Sequence, residues 1–63
     1  MTAKELFEAK GFTQEITDTY IGYNKDGHFI RFDLNEPMYW SDIMDVSEYR
    51  EAIDKQVSEL WQQ

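Results

Sequence analysis

One imidazole and a run of carboxylates are the groups in this sequence whose types and spacing could do chemistry. His28 has the ordinary pKa nearest neutrality, which makes it the first candidate for acid–base work. No serine or second histidine is placed by spacing to form a nucleophilic pair with it, cysteine is absent, and a histidine beside a turn is expected at the surface. Asn24, Asp26, Gly27 and Asp33 match four positions of a calcium-binding EF loop. The first ligand position falls on Gly22, however, which offers no carboxylate, and strand-like segments flank the loop. A turn explains these residues, so no metal or cofactor site, no small-molecule site and no enzyme activity is expected. Asp42, Asp45, Glu48 and Glu51 recur at a spacing of three from a connector into the start of a helix. They suit either favourable negative charge at the positive end of a helix dipole or a docking ridge for an Arg- or Lys-rich partner.

Charge narrows the partners further. Thirteen Asp and Glu against six Lys and Arg give a net charge of −7, which repels phosphate backbones and anionic lipid and leaves basic protein surfaces attractive. An acidic inhibitor that mimics DNA on a basic protein fits the same charge. The 63 residues allow one domain, spanning 1–63, with a thin core and only a few kcal/mol of net stability. Four Phe, four Tyr and two Trp partly offset that limit and argue against disorder. Without cysteine there is no disulfide framework and no thiolate zinc site, so a reducing cytosol is the expected home. Met1 runs directly into a polar helix start, and no apolar run approaches the length of a membrane span or a signal-peptide core. A soluble cytoplasmic chain is expected.

The elements that would position these groups are well marked at the amino end. Thr2 and Glu5 have the spacing of a capping box, Ala3, Leu6 and Phe7 share a helical face, and Gly11 followed by Phe12 predicts a left-handed stop closed by a Phe7 contact. Thr13 to Asp18 reads as a short strand or connector carrying Ile16 inward. Asn24-Lys25-Asp26-Gly27 predicts a hairpin with a type I turn and a Gly27 bulge, pairing Asn24 with His28. Counting outward, that register puts Tyr20, Ile30, Phe32 and Leu34 on one face, and Ile21, Tyr23, Phe29, Arg31 and Asp33 on the other. Asn35-Glu36-Pro37 marks a second turn and Met38 to Trp40 a third strand, with either Tyr39 or the Met38 and Trp40 pair facing the core. Asp45 or Ser47 caps a final helix; with Asp45 as the cap, Glu48 completes a box and Met44 staples to Tyr49. Tyr49, Ile53, Val57 and Leu60 form its apolar stripe, flanked by Ala52, Gln56 and Trp61.

The expected architecture is α+β, in the order α-β-β-β-α, with a three-stranded antiparallel meander packed with two helices. If both helices cover one face, Ile21, Tyr23 and Phe29 beside Arg31 are left as an apolar interaction patch for a protein partner or a second copy. If the helices take opposite faces, the sheet is filled and no patch remains. The Lys4 to Glu8 segment, Gly11-Phe12, the Tyr20 to Phe32 hairpin and a closing Ser47 to Trp61 helix together resemble short uncharacterised proteins of Gram-positive bacteria and their phages or prophages. That resemblance implies no activity; it suggests an accessory role exercised by binding a host or phage protein.

Overall fold

The computed structural model describes residues 1–61 of the chain. Helix α1 spans Ala3–Ala9, followed by strands β1 (Thr13–Ile16), β2 (Tyr20–Lys25), β3 (His28–Asp33) and β4 (Tyr39–Ser41), then a 3-10 turn at Ser47–Tyr49 that leads into helix α2 (Arg50–Trp61). The strands form one antiparallel sheet in sequence order. The fold is α+β with two helices, but the meander has four strands rather than three: the segment after Gly11 pairs with β2 along its whole length.

Local sequence explains how α1 begins and ends. The Thr2 backbone N–H donates to Glu5 Oε1 (2.8 Å) and the Glu5 N–H donates to Thr2 Oγ1 (3.2 Å), the reciprocal capping box. At the other end Gly11 adopts a φ of +94°, Phe12 N–H donates to the Phe7 carbonyl and Gly11 N–H to the Glu8 carbonyl, both at 3.0 Å. This is the Schellman arrangement, and the Phe7 and Phe12 rings close it edge to face at 5.4 Å.

The hairpin turn is tighter than the sequence predicts. Asp26 and Gly27 both take positive φ (51° and 80°), giving a two-residue loop in which Lys25 pairs with His28. Asp tolerates the left-handed region better than most residues, so Asn-Lys-Asp-Gly supports either loop, and the core decides between them. With the short loop, Tyr23 pairs with Ile30 and Ile21 with Phe32, and these four share one face. The longer loop sets Gly22 against Ile30 and divides the apolar residues between the two sides. The one-residue shift corrects the expected faces: Ile21 and Tyr23 turn inward, while Tyr20 moves to the outer side with Phe29 and Arg31.

Both helices lie on the inner face. Phe7 of α1 stacks on Tyr23 at 3.9 Å, Trp61 of α2 packs against Phe32 at 6.2 Å, and Phe32 also meets Phe7, Tyr23 and Tyr39. Phe7, Tyr23, Ile30, Phe32 and Ile53 are fully buried. In α2 the expected stripe is present, with Ala52, Ile53 and Gln56 buried and Tyr49, Val57, Leu60 and Trp61 packed around them. The helices run antiparallel: Ala3 N–H donates to Glu59 Oε2 (2.9 Å) at one end, and Phe12, just past α1, meets Tyr49 edge to face at 4.9 Å at the other. Tyr39, not Trp40, faces the core.

Three smaller expectations are corrected. Ile16 pairs with Ile21 at the margin of the helical cover and is 65% exposed rather than carried inward. Met44 is wholly exposed, so it makes no staple to Tyr49; Ile43 and Val46 on either side of it pack against the core instead. Asp45 does not cap the helix, because its carboxylate closes a local turn by accepting from Ser47 N–H (2.9 Å) and Ser47 Oγ (2.7 Å).

Candidate functional site

With both helices on one side, no secondary-structure element among the described residues covers the other side of the sheet. Cross-strand partners share a face, so the register places Glu15, Gly22, Arg31 and Trp40 in a single row across all four strands of this outer side. Phe29 and Tyr20 lie to either side of that row. Gly22 forms its floor. A Cβ there would lie 3.0 Å from Tyr20 Cε1 and 3.3 Å from Arg31 Cγ, so the missing side chain is what lets both neighbours settle over the backbone.

Arg31 is held by ring faces. Its guanidinium carbon sits 4.3 Å from the Phe29 centroid and 4.8 Å from that of Tyr20, and Trp40 meets Tyr20 edge on at 6.5 Å. Arg31 Nε is buried and has no hydrogen-bond partner among the described residues, which leaves a desolvated donor on an aromatic platform. Glu15 Oε1 accepts from the Tyr20 hydroxyl (3.1 Å) and from Asn24 Nδ2 (3.4 Å), steadying the rim. Trp40 remains 40% exposed and Met38 beside it 50%. The platform has ring faces, one cation and a flanking carboxylate that holds the Tyr20 hydroxyl.

The expected patch is therefore redrawn. Phe29 and Arg31 stand on the outer face as expected. Tyr23 is fully buried under Phe7, and Ile21 packs against the core, so neither belongs to the patch. Tyr20 and Trp40 take their places. Trp40 was readable only once strand β4 had a register, and Tyr20 only once the loop length was known.

The acidic series does not form one ridge. Asp42 Oδ1 accepts from Phe29 N–H (2.8 Å) and its Oδ2 lies 3.2 Å from His28 Nδ1, so it fastens the β4 connector to the start of β3. Asp45 is engaged with Ser47, while Glu48 and Glu51 line a shallow cleft between the helices with Leu6 and Lys10. His28 and Lys25 border a second cleft of about 230 Å³, where the Lys25 ammonium lies over the Phe12 and Tyr49 rings at 5.6 and 5.7 Å. No protein-family model, curated protein or solved structure matches the chain. Among the described residues no group of three His, Cys, Asp or Glu is arranged to hold a metal ion, and no helix is long and apolar enough to cross a membrane.

The Asp42 clamp has a consequence for acid stability. The Phe29 N–H, and then the His28 contact, hold the Asp42 carboxyl below its ordinary value of 3.8. A lowered folded-state pKa contributes stability that is present above that value and lost as pH falls through the folded pKa. Asp42→Asn is expected to reduce the loss of thermal stability on acidification below about pH 4, read as Tm against pH. An acid limb identical to the parent's would show that the clamp contributes nothing.

Proposed function

We propose that this chain is a non-enzymatic protein-binding module whose contact surface is the outer face of the sheet. The observation that carries the reading is the placement of both helices on one side, which leaves Tyr20, Phe29 and Trp40 gathered around Arg31 without cover. Aromatic residues and arginine are the types enriched where proteins meet, and a platform of rings with a desolvated guanidinium fits that use better than it fits solvent. The resemblance to short proteins of Gram-positive bacteria and their phages adds an accessory role in such a cell, exercised on a protein target. The absence of cysteine suits a cytoplasmic setting.

The net charge of −7 supports a second reading, an acidic inhibitor that occupies the nucleic-acid site of a basic protein. The two readings differ in salt dependence: aromatic docking survives 0.5 M NaCl, whereas charge mimicry is largely screened there. For the first reading, the paired substitution Phe29→Ser with Trp40→Ser is expected to keep the far-UV circular dichroism of the parent. The variant should lose the proteins, including untagged copies of the chain itself, that the tagged parent retains from host extract. Retention of the same set by the variant would remove the outer face from the account.

A further inference from the structure

Resting on the outer face as the contact surface, we infer that its occupant is a second copy of this chain, docked face to face about a two-fold axis that runs along β2 over Gly22. The cross-strand row Glu15, Gly22, Arg31, Trp40 supplies the reason. Neighbouring strands are about 4.8 Å apart, so Glu15 and Arg31 stand at equal distances on either side of Gly22. A half-turn about an axis lying over β2 in the plane of contact exchanges those two positions. It brings the Glu15 carboxylate of each copy over the Arg31 guanidinium of the other, twice by symmetry, as an isologous interface requires.

Three features of the face suit that arrangement. Arg31 Nε is buried without a hydrogen-bond acceptor among the described residues, and both hydrogen bonds that Glu15 accepts from Tyr20 and Asn24 go to Oε1. The axis passes over Gly22, which puts no side chain of its own between the Glu15 and Arg31 positions. Charge is low here: with Arg31 set against Glu15 and Asp33, the face carries a net −1 of the chain's −7. Two copies of so acidic a chain therefore meet little repulsion along this surface.

Area sets the strength. An axis over β2 sets β1, β2 and β3 of one copy against β3, β2 and β1 of the other; their strand residues, about 3.3 Å long in strands about 4.8 Å apart, present roughly 250 Å², about a third of what one side of a standard stable interface buries. The pair is therefore a weak, reversible dimer, dissociating in the range of tens to hundreds of micromolar. Sheets stacked in this way sit about 10 Å apart, a gap in which the Tyr20 and Phe29 rings lie, with Trp40 on edge strand β4 at the rim.

Sedimentation equilibrium of the whole chain from about 10 µM to about 1 mM, in 0.15 M NaCl, tests the inference. The parent is expected to pass from monomer to dimer within that range. Arg31→Glu and Glu15→Arg are each expected to weaken the dimer by about tenfold or more, since each sets like charges together at two symmetric places. The combined variant, which restores both attractions with the signs exchanged, is expected to recover most of the loss. A parent that stays monomeric to 1 mM, or a dimer indifferent to either single change, overturns the inference; the parent measurement stands even if a variant fails to fold. A monomeric chain that still captures another protein through Phe29 and Trp40 overturns only the second copy and leaves the contact face in place. A monomeric chain whose captures ignore those residues overturns both.

Discussion

Tyr23→Ala is expected to leave most of the chain unfolded at 25 °C, whereas Tyr20→Ala, three residues earlier on the same strand, is expected to cost only about 1 kcal/mol. Tyr23 is fully buried, stacks on Phe7 at 3.9 Å and meets Phe32 edge to face at 6.1 Å. Truncating a buried aromatic side chain costs about 3 to 5 kcal/mol, which matches or exceeds the whole net stability of a domain this small. Tyr20 lies on the outer side, where its loss removes a cation–π contact to Arg31 and an edge contact to Trp40. Urea denaturation followed by circular dichroism measures both. A larger loss for Tyr20→Ala than for Tyr23→Ala would contradict the two-residue loop, because the three-residue loop exchanges the faces on which these tyrosines lie.

Removing only the hydroxyl of the same residue is expected to be costly as well. The Tyr23 hydroxyl donates to Gln56 Oε1 and accepts from Gln14 Nε2 at 3.2 Å, and Gln56 is a buried polar residue. Tyr23→Phe keeps the stacking on Phe7 but strands the Gln56 carbonyl oxygen, at a cost of about 1 to 3 kcal/mol. Adding Gln56→Leu is expected to cost less than the sum of the two separate changes, because the orphaned acceptor is then gone. Burial pushes the Tyr23 hydroxyl above its ordinary value of 10.0. The protonated form is thereby favoured in the fold, so its stabilisation is complete below about pH 10 and fades as pH rises towards the folded-state value. Tyr23→Phe should therefore lose less stability than the parent as pH rises above about 10, and an unchanged alkaline fall would place the titration elsewhere.

How far the sequence could be read depended on whether a signal was local. The α1 ends were legible because capping boxes and Schellman stops are written within four residues, and Thr2, Glu5, Gly11 and Phe12 behave as their types dictate. The α2 stripe was legible from its period. Hairpin register was not, since Asn24 to Gly27 supports two loop lengths and the choice rests on how many apolar side chains reach the helices, a property of the packed molecule. A one-residue slip reverses the faces of one strand relative to its partner, which is why Tyr20, Ile21 and Tyr23 of β2 changed sides while Phe29 and Arg31 of β3 did not. Strand β1 was hard to read for a related reason: three of its four residues are exposed, so Thr13, Glu15 and Ile16 show no clear alternation. The acidic series resembled a ridge only in one dimension. Asp42 turns to Phe29 and His28, Asp45 to Ser47, and Glu48 and Glu51 to the cleft between the helices.

For so short a chain, the outer face follows from a shortage of cover. Seven residues of α1 and twelve of α2 suffice to shield one side of a four-stranded sheet, and no other helix or strand among the described residues lies over the other. The sequence meets that exposure partly by placing Gly22 and the rim of Glu15, Asn24 and Asp33 there, and by laying Arg31 flat between two rings. What remains uncovered is chiefly aromatic and concentrated on Phe29 and Trp40, which is the basis for assigning this side to contact with protein.

The most direct test of the account is which aromatic rings meet solvent. Proton relaxation by a neutral paramagnetic gadolinium chelate, recorded where the chain sediments as a monomer, reads this ring by ring. Strong broadening of the Trp40 and Phe29 signals, with those of Tyr23, Phe7 and Phe32 protected, is the predicted result. Broadening of Tyr23 as strong as that of Phe29 would contradict it, since the sheet would then present the opposite set of side chains.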